Sequence, residues 1–139
     1  KKCFEELILH KVDLSGIILK PNMILSGTQS KAKISSEEVS HKTLEGLKNS
    51  VPSDVPGLAF LSGGQSESEA TENLNLINKN NNTNFIMTYS YGRALQQSAL
   101  KVWSKNIKDI EGTQKTFNHR AKMCTLAAQG KWVKELESK

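Results

Sequence analysis

Short apolar runs alternate with longer stretches of helical periodicity along this chain. Three runs are rich in bulky apolar residues and show little alternation between apolar and polar positions: 12–19, 57–61 and 85–89. Runs of this kind are typical of strands that are covered on both faces, as in a parallel sheet. The pattern therefore predicts three buried strands.

Helices are predicted before, between and after these runs. Ser35 with Glu38, and Ser66 with Glu69, have the spacing of a capping box, and apolar residues at helical spacing follow each pair. Further helical stretches cover about 93–104, about 109–129 with Gly130 as its C-terminal cap, and the first residues, 3–10. The predicted order is helix–strand–helix–strand–helix–strand–helix–helix.

Alternation of this kind predicts βαβ units and a parallel sheet. Three parallel strands alone would leave open edges, which such sheets avoid. We therefore expect residues 1–139 to be the C-terminal part of a single (β/α)8 TIM barrel, a fold of about 250 residues. They would supply about the last three βα units and a C-terminal helix, with no internal domain boundary. The alternative is a small doubly wound sheet whose first strands are missing.

Composition adds limits on location and partners. Apolar residues make up 37% of the chain, charged residues 24%, and the net charge is +5, as in an ordinary globular protein. The basic residues are scattered, so we expect no nucleic-acid partner. The apolar runs are far shorter than a membrane span and no signal peptide pattern opens the chain, so we expect no membrane association. Cys3 and Cys124 cannot form a disulfide scaffold, which favours free thiols and a cytoplasmic location.

Lys20 is the candidate nucleophile because it ends the first apolar run. Burial disfavours the charged form of a lysine and lowers the pKa of its amine. Lowering that pKa from ~10.4 to about 7–8 costs roughly 3–5 kcal/mol, which a fold seldom tolerates without a use for the neutral amine. Its main use is attack on carbonyls to form a Schiff base. The alternative is a lysine that extends from the strand end into solvent.

Two glycine loops after the second and third runs suggest a phosphate site. Ser62-Gly63-Gly64 precedes one predicted helix, and Ser90-Tyr91-Gly92-Arg93 precedes the next. Glycines let the backbone approach a ligand, and a helix start presents free N–H groups. Arginine is unfavourable at that helix end unless an anion lies beside it. The alternatives are a flexible turn at Gly63 and a surface ion pair for Arg93, but barrels often hold phosphate with their last two such loops.

Several segments resemble class I fructose-bisphosphate aldolase. The resemblance is carried by Leu19-Lys20-Pro21-Asn22-Met23, by residues 60–67 (FLSGGQSE), and by residues 90–96 (SYGRALQ). Residues 73–75 (NLN) and 127–131 (AAQGK) extend it over nearly the whole chain. The chain would then be about the C-terminal two-fifths of such an enzyme.

The resemblance implies a function and roles for particular residues. Lys20 would form a Schiff base with fructose 1,6-bisphosphate, whose cleavage gives dihydroxyacetone phosphate and glyceraldehyde 3-phosphate in glycolysis. Ser62 and Gly63, and Ser90, Gly92 and Arg93, would hold one substrate phosphate. The family uses no cofactor or metal and is usually homotetrameric. Dispersion of His10, His41 and His119 likewise argues against a metal site.

Departures from the family pattern leave a non-catalytic scaffold or binding module as the alternative. Ser15 stands where the family usually has glutamate, and the tyrosine that ends the family's tail is not in this sequence. No Asp or Glu follows a predicted strand after Lys20, so we expect the acid/base carboxylates outside these residues and no turnover by the segment alone. Glu67 and Glu69 are expected to cap a helix and to compensate its dipole. The basic run 115–122 is expected to be a solvated helix face, with a cytoskeletal or adaptor contact as a further possibility.

Overall fold

A computed structural model describes residues 1–138 and contains the predicted alternation of helices and strands. In chain order the elements are α1 (Lys2–Leu9), β1 (Ile18–Leu19), α2 (Ser36–Ser50), β2 (Gly57–Phe60), α3 (Glu67–Lys79), β3 (Ile86–Tyr89), α4 (Arg93–Lys105) and α5 (Ile110–Ala128). Short 3-10 helices lie at Leu14–Gly16 and Lys134–Leu136. The predicted order of elements is confirmed.

The three strands form one parallel sheet in the order β1-β2-β3. Gly57 lies in register between Ile18 and Ile86, and Leu58 lies between Leu19 and Met87. Because the strands are parallel, the loops that follow them all leave from the same edge of the sheet. We call this edge the carboxyl edge.

The first strand is much shorter than the predicted run 12–19. The Asp13 carboxylate accepts hydrogen bonds from the backbone N–H and the hydroxyl of Ser15, at 3.0 and 2.7 Å. These local bonds stabilise a 3-10 turn, which competes with extended backbone. Extended pairing therefore begins only at Ile18. Ser15 is exposed and lies in this turn rather than beside Lys20.

One face of the sheet packs against helices and the other is open in residues 1–138. Leu58 and Phe60 on the covered face are fully buried, together with Leu74 of α3. On the opposite face Ile18 is 70% exposed and Ile86 is 76% exposed. Residues 1–138 thus cover one face of the sheet and supply no covering layer for the other. In a (β/α)8 barrel the face turned away from the helices forms the barrel interior.

Helix starts and stops follow the predicted chemistry closely. Ser66 and Glu69 form a complete capping box at α3, whereas at α2 the Ser35 hydroxyl accepts from Glu38 N–H without the reciprocal bond. After α5, Gly130 takes a φ of +67°, the left-handed conformation that favours glycine. These signals fix the ends of the helices that pack on the sheet.

Candidate active site

Lys20 lies at the carboxyl edge, immediately after β1. The backbone N–H of Leu61 donates to the carbonyl of Pro21 at 3.0 Å, so strand-like pairing continues past Lys20. Side chains alternate along a strand, and Leu19 faces the helices, so Lys20 shares the open face with Ile18. The lysine is exposed in the described chain. The expectation of a dry amine is not met here, because nothing in residues 1–138 covers this face.

The first glycine loop lies beside the segment that follows Lys20. Gly63 and Gly64 have φ values of +59° and +85°, which residues with a Cβ rarely adopt. A Cβ at Gly63 would collide with the side-chain oxygen of Asn22. The backbone conformation therefore favours glycine at position 63, and a Cβ there would also force the exposed Asn22 side chain to move. The contact also brings the loop after β2 against the loop after β1.

The second glycine loop is held against the sheet and α3. Ser90 N–H donates to the carbonyl of Phe60 at 2.8 Å, and the Tyr91 hydroxyl donates to the carbonyl of Ala70 at 2.9 Å. Burial raises the pKa of Tyr91, so its hydroxyl stays neutral and remains a donor. Tyr91 was not among the residues of this loop that were predicted from the sequence to bind phosphate. An aromatic residue within a polar glycine loop is the signal that could have indicated this anchor.

The second loop ends in an uncompensated helix start. Gly92 is the N-cap of α4 and supplies no side-chain acceptor, and the first turn of α4 contains no acidic residue. Arg93 is the first residue of the helix and is exposed. Within residues 1–138 its guanidinium forms no ion pair. The helix start and Arg93 together make this part of the carboxyl edge electropositive.

The parallel sheet thus brings all the predicted site residues to one edge. Adjacent strands lie about 4.8 Å apart, so about 10 Å separates the strand that ends at Lys20 from the one that leads to Ser90. The loop of Ser62 and Gly63 lies between them. The arrangement offers an amine at one side of an edge whose other side carries hydrogen-bond donors and a positive charge. Such an edge can bind an anionic group while it presents a nucleophile to another part of the same molecule.

The two glutamates of the α3 start have different roles. Glu69 completes the capping box, as predicted, and the hydrogen bonds from Ser66 lower its pKa. Glu67 lies in the first turn of α3, where a negative charge is favourable, but it does not cap the helix. Its carboxylate accepts from the backbone N–H of Ser98 at 2.9 Å and from the Ser98 hydroxyl, and so joins α3 to α4. Neither carboxylate follows a strand, so neither is placed to act as a base at Lys20.

A buried polar cluster joins α3, α5 and the segment after α5, and it was not predicted from the sequence. Arg120, expected on a solvated face, is only 8% exposed and forms a two-pronged ion pair with Glu137 at 2.9 and 2.5 Å. It also donates to the Thr71 hydroxyl at 3.2 Å. Trp132 Nε1 donates to the same glutamate at 2.9 Å. We call Arg120, Glu137, Thr71 and Trp132 the anchor cluster, because it fastens the segment after α5 to α3 and α5.

Both cysteines are free thiols, as predicted, with Cys3 exposed and Cys124 buried. Burial raises the pKa of the Cys124 thiol, which therefore stays protonated. Across residues 1–138, no three His, Cys, Asp or Glu side chains are grouped closely enough to hold a metal ion. Over the same residues, no helix has the length and apolarity needed to cross a membrane.

The geometry described above defines a class of protein: an α/β protein with a parallel sheet whose polar loops share the carboxyl edge. The family model for class-I fructose-bisphosphate aldolase matches residues 1–139. The chain belongs to the class I fructose-bisphosphate aldolase family.

Individual relatives agree with this assignment. The chain is 47% identical over 131 residues to a non-muscle fructose-bisphosphate aldolase of Lethenteron camtschaticum, covering 94% of this chain and 36% of the relative. It is 45% identical over 129 residues to a cytosolic aldolase of Arabidopsis thaliana, covering 92% and 33%. A chloroplastic aldolase of Pisum sativum is 44% identical over 135 residues, covering 97% and 38%. The chain thus spans about a third of the length of the curated relatives it matches.

A solved structure shows the same fold. Fructose-bisphosphate aldolase from Plasmodium falciparum, crystallised with TRAP and a small-molecule inhibitor, matches with a TM-score of 0.89 and 40% identity. The match covers 94% of this chain and 38% of that structure. The three-stranded sheet with its helices is therefore part of a TIM barrel, and the doubly wound alternative is wrong.

Proposed function

We propose that the full-length protein is a class I aldolase that cleaves fructose 1,6-bisphosphate through a Schiff base on Lys20. The observation that carries the proposal is the common edge on which Lys20, the Gly63 loop and the Arg93 loop lie. The substrate has a ketone beside one phosphate, so a lysine about 10 Å or less from a phosphate loop suits it. Family membership supports the same reaction.

The proposed chemistry uses the open-face amine as an electron sink. The neutral amine of Lys20 attacks the ketone carbon of the sugar, and loss of water gives a protonated imine. A base removes the proton of the hydroxyl on the fourth carbon, and the bond between the third and fourth carbons breaks. Its electron pair moves into the imine to give an enamine. Glyceraldehyde 3-phosphate leaves, and protonation and hydrolysis of the enamine release dihydroxyacetone phosphate and restore Lys20.

The phosphate next to the ketone is proposed to lie between the two glycine loops. Ser62 and Ser90 offer hydroxyl donors. Gly63 and Gly92 have no Cβ, so the phosphate can approach their backbone closely. Arg93 adds a charge-assisted bond of about 1.5–3 kcal/mol. Gly63, Ser90, Gly92 and Arg93 are exposed and Ser62 is partly exposed. Within residues 1–138 the hydroxyls of Ser62 and Ser90 and the guanidinium of Arg93 have no hydrogen-bond partner, which supports this role.

We further propose a cytoplasmic homotetramer without a cofactor. The Arabidopsis relative named cytosolic supports the location, although the chloroplastic pea relative is nearly as similar. An adaptor contact through the exposed lysines of 115–122 stays part of the proposal, with Arg120 excluded from that surface by its burial. Gel filtration with light scattering on the full-length protein measures the oligomer directly.

Trapping tests the central proposal. The full-length protein is incubated with dihydroxyacetone phosphate, reduced with borohydride, digested and analysed by mass spectrometry. We expect a stable adduct on the peptide that contains Lys20 and none on the peptide that contains Lys33, an exposed lysine of the following loop. A folded full-length protein that gives no adduct at Lys20 would instead support the non-catalytic scaffold.

A further inference from the structure

The side chain of Gln65 connects the two loops that meet at the carboxyl edge. Its Nε2 donates to the carbonyl of Ser62 at 2.8 Å and lies 3.6 Å from the sulfur of Met23. Its backbone N–H also donates to the Ser62 carbonyl, at 3.0 Å. One amide therefore contacts both the loop after β2 and the segment three residues beyond Lys20.

The orientation of this amide is set by a buried residue of α3. Asn73 is 5% exposed, and its Nδ2 donates to Gln65 Oε1 at 2.6 Å. With its oxygen committed to Asn73, the Gln65 amide can direct only its NH2 group toward Ser62 and Met23. Asn73 thus donates to Gln65, and Gln65 in turn donates to the Ser62 carbonyl.

Asn73 is not accounted for by stability. Its side-chain oxygen is buried and has no hydrogen-bond partner within residues 1–138. An unpaired buried acceptor is destabilising, and an apolar side chain at the same position would avoid that cost. Unlike an apolar residue, asparagine can donate a hydrogen bond to Gln65, and this is its one side-chain hydrogen bond within residues 1–138. Buried polar groups that lack a partner are often found where a residue serves a functional site.

We propose that Gln65, oriented by Asn73, is a positioning residue that sets the Ser62–Gly63 loop relative to Lys20. The inference rests on the proposed function and assigns no direct contact with substrate to either residue. Rotation of the Gln65 amide would place its oxygen against the Ser62 carbonyl, and the repulsion would displace the loop. A reaction that needs the amine and the phosphate loop at a fixed separation is sensitive to displacements of about 1 Å, which can cost about a hundredfold in rate.

Asn73→Asp in the full-length protein is the principal test. The carboxylate keeps the shape of asparagine but cannot donate, so Gln65 must either face it with an oxygen or rotate and face Ser62 with that oxygen. The matched control is Asn75→Asp on the same helix. Asn75 is 3% exposed, and its side-chain oxygen accepts a hydrogen bond from the backbone N–H of Trp132 at 3.0 Å. Aspartate can accept the same hydrogen bond.

The readouts are kcat and KM for fructose 1,6-bisphosphate, inhibition by inorganic phosphate, and the midpoint of thermal unfolding. We expect kcat/KM to fall about tenfold or more in Asn73→Asp, with weaker inhibition by phosphate. Asn75→Asp should stay within about twofold of wild type. Gln65→Met is the second variant, because Gln65 is only half-buried and methionine has a similar volume. The substitution removes the hydrogen bonds of the Gln65 side chain to Ser62 and Asn73. It should reproduce the loss in kcat/KM even where Asn73→Asp fails to fold.

Three results would overturn parts of this account, and they are distinguishable. If wild type cleaves the sugar and both Asn73→Asp and Gln65→Met remain within twofold of it, the positioning role is wrong. If Asn75→Asp loses as much as Asn73→Asp, a buried charge anywhere on α3 explains the effect and the role is again wrong. If folded wild type neither cleaves nor forms the borohydride adduct, the proposed function itself fails.

Discussion

Two arginines of this chain illustrate how differently a cation can be used in one fold. Arg93 begins α4 at the carboxyl edge, is exposed, and forms no ion pair within residues 1–138. Arg120 lies within α5, is 8% exposed, and is paired with Glu137 and bonded to Thr71. A guanidinium that is buried among acceptors holds the structure together. One that is exposed at a helix start, where its charge is unfavourable, is available for an anion.

The surroundings of the two arginines differ in the same way. Arg93 shares the carboxyl edge with Gly63 and Gly64, whose φ values are positive, and with the exposed Lys20. The anchor cluster around Arg120 is dense with internal hydrogen bonds and joins α3, α5 and the segment after α5. Polar groups that are satisfied internally contribute to folding, whereas those left unsatisfied at an edge are suited to a ligand. The predictions below test this division between edge and cluster.

The largest effect is expected from Lys20→Met. Removal of the amine removes the Schiff base, so cleavage of fructose 1,6-bisphosphate should fall more than about 1,000-fold. Methionine has an unbranched stem like that of lysine and suits apolar surroundings at the strand end, so the variant should remain folded. Steady-state cleavage and urea denaturation of the full-length protein measure the two effects. Lys33→Met is the control and should retain activity; unchanged cleavage in Lys20→Met would refute the assigned nucleophile.

Arg120→Ala should act on stability. It leaves Glu137 and Glu67 without their cation and opens a cavity, and breaking a buried ion pair costs about 3–5 kcal/mol. Urea unfolding of the full-length protein should show this loss. At a temperature where the variant remains folded, its KM for the bisphosphate should be close to that of wild type. A stable Arg120→Ala with a raised KM would reverse the division between the two arginines.

Arg93→Ala should show the opposite pattern. It removes a charge-assisted bond of about 1.5–3 kcal/mol, so binding of phosphorylated sugars should weaken by about 10- to 150-fold. Stability should be almost unchanged, since the side chain is exposed. The comparison is KM for fructose 1,6-bisphosphate against KM for an unphosphorylated sugar, which should change little. An equal loss for both sugars would contradict a phosphate site at Arg93.

Most of the fold could be predicted from local signals. Ser35 and Ser66, with the capping-box spacing, and Gly130 indicated helix ends within about a residue, and the apolar runs indicated β2 and β3. The run 12–19 was misjudged because Asp13 and Ser15 form a side-chain turn that apolar content does not reveal. The sequence also could not show which strand face the helices of this segment cover, since exposure depends on what lies across the sheet and not on the strand's own residues.

The site divides in the same manner. Residues next to glycines at strand ends could be proposed from sequence, because parallel strands bring such loops to one edge. Contacts between distant positions could not. Gln65 with Asn73, Tyr91 with Ala70, and Arg120 with Glu137 depend on how α3 and α5 pack, and their sequence separations of 8, 21 and 17 residues match no local motif.

The smallest effect, and the finest test of the anchor cluster, is the pH dependence of Glu137→Gln. Burial alone would raise the pKa of Glu137, but hydrogen bonds and charge from Arg120, with a bond from Trp132, lower it below its usual value. A lowered folded-state pKa stabilises the protein above the unfolded pKa of about 4.3, and this stabilisation is lost as pH falls through the folded pKa. Glutamine keeps the shape and an acceptor for Trp132 but not the charge.

We therefore expect Glu137→Gln to cost about 1–2 kcal/mol at pH 7, less than loss of a fully buried partner because the glutamate side chain is 20% exposed. The difference from wild type should be constant from pH 8 to pH 5 and should shrink toward pH 3, as wild-type Glu137 becomes protonated. Urea unfolding at several pH values measures it, with the exposed Glu135→Gln as the control. A difference that stays constant down to pH 3 would mean that the ionised carboxylate of Glu137 is not what holds the segment after α5. The conclusion that Arg120 stabilises the fold through its ion pair, in contrast to Arg93, would then be wrong.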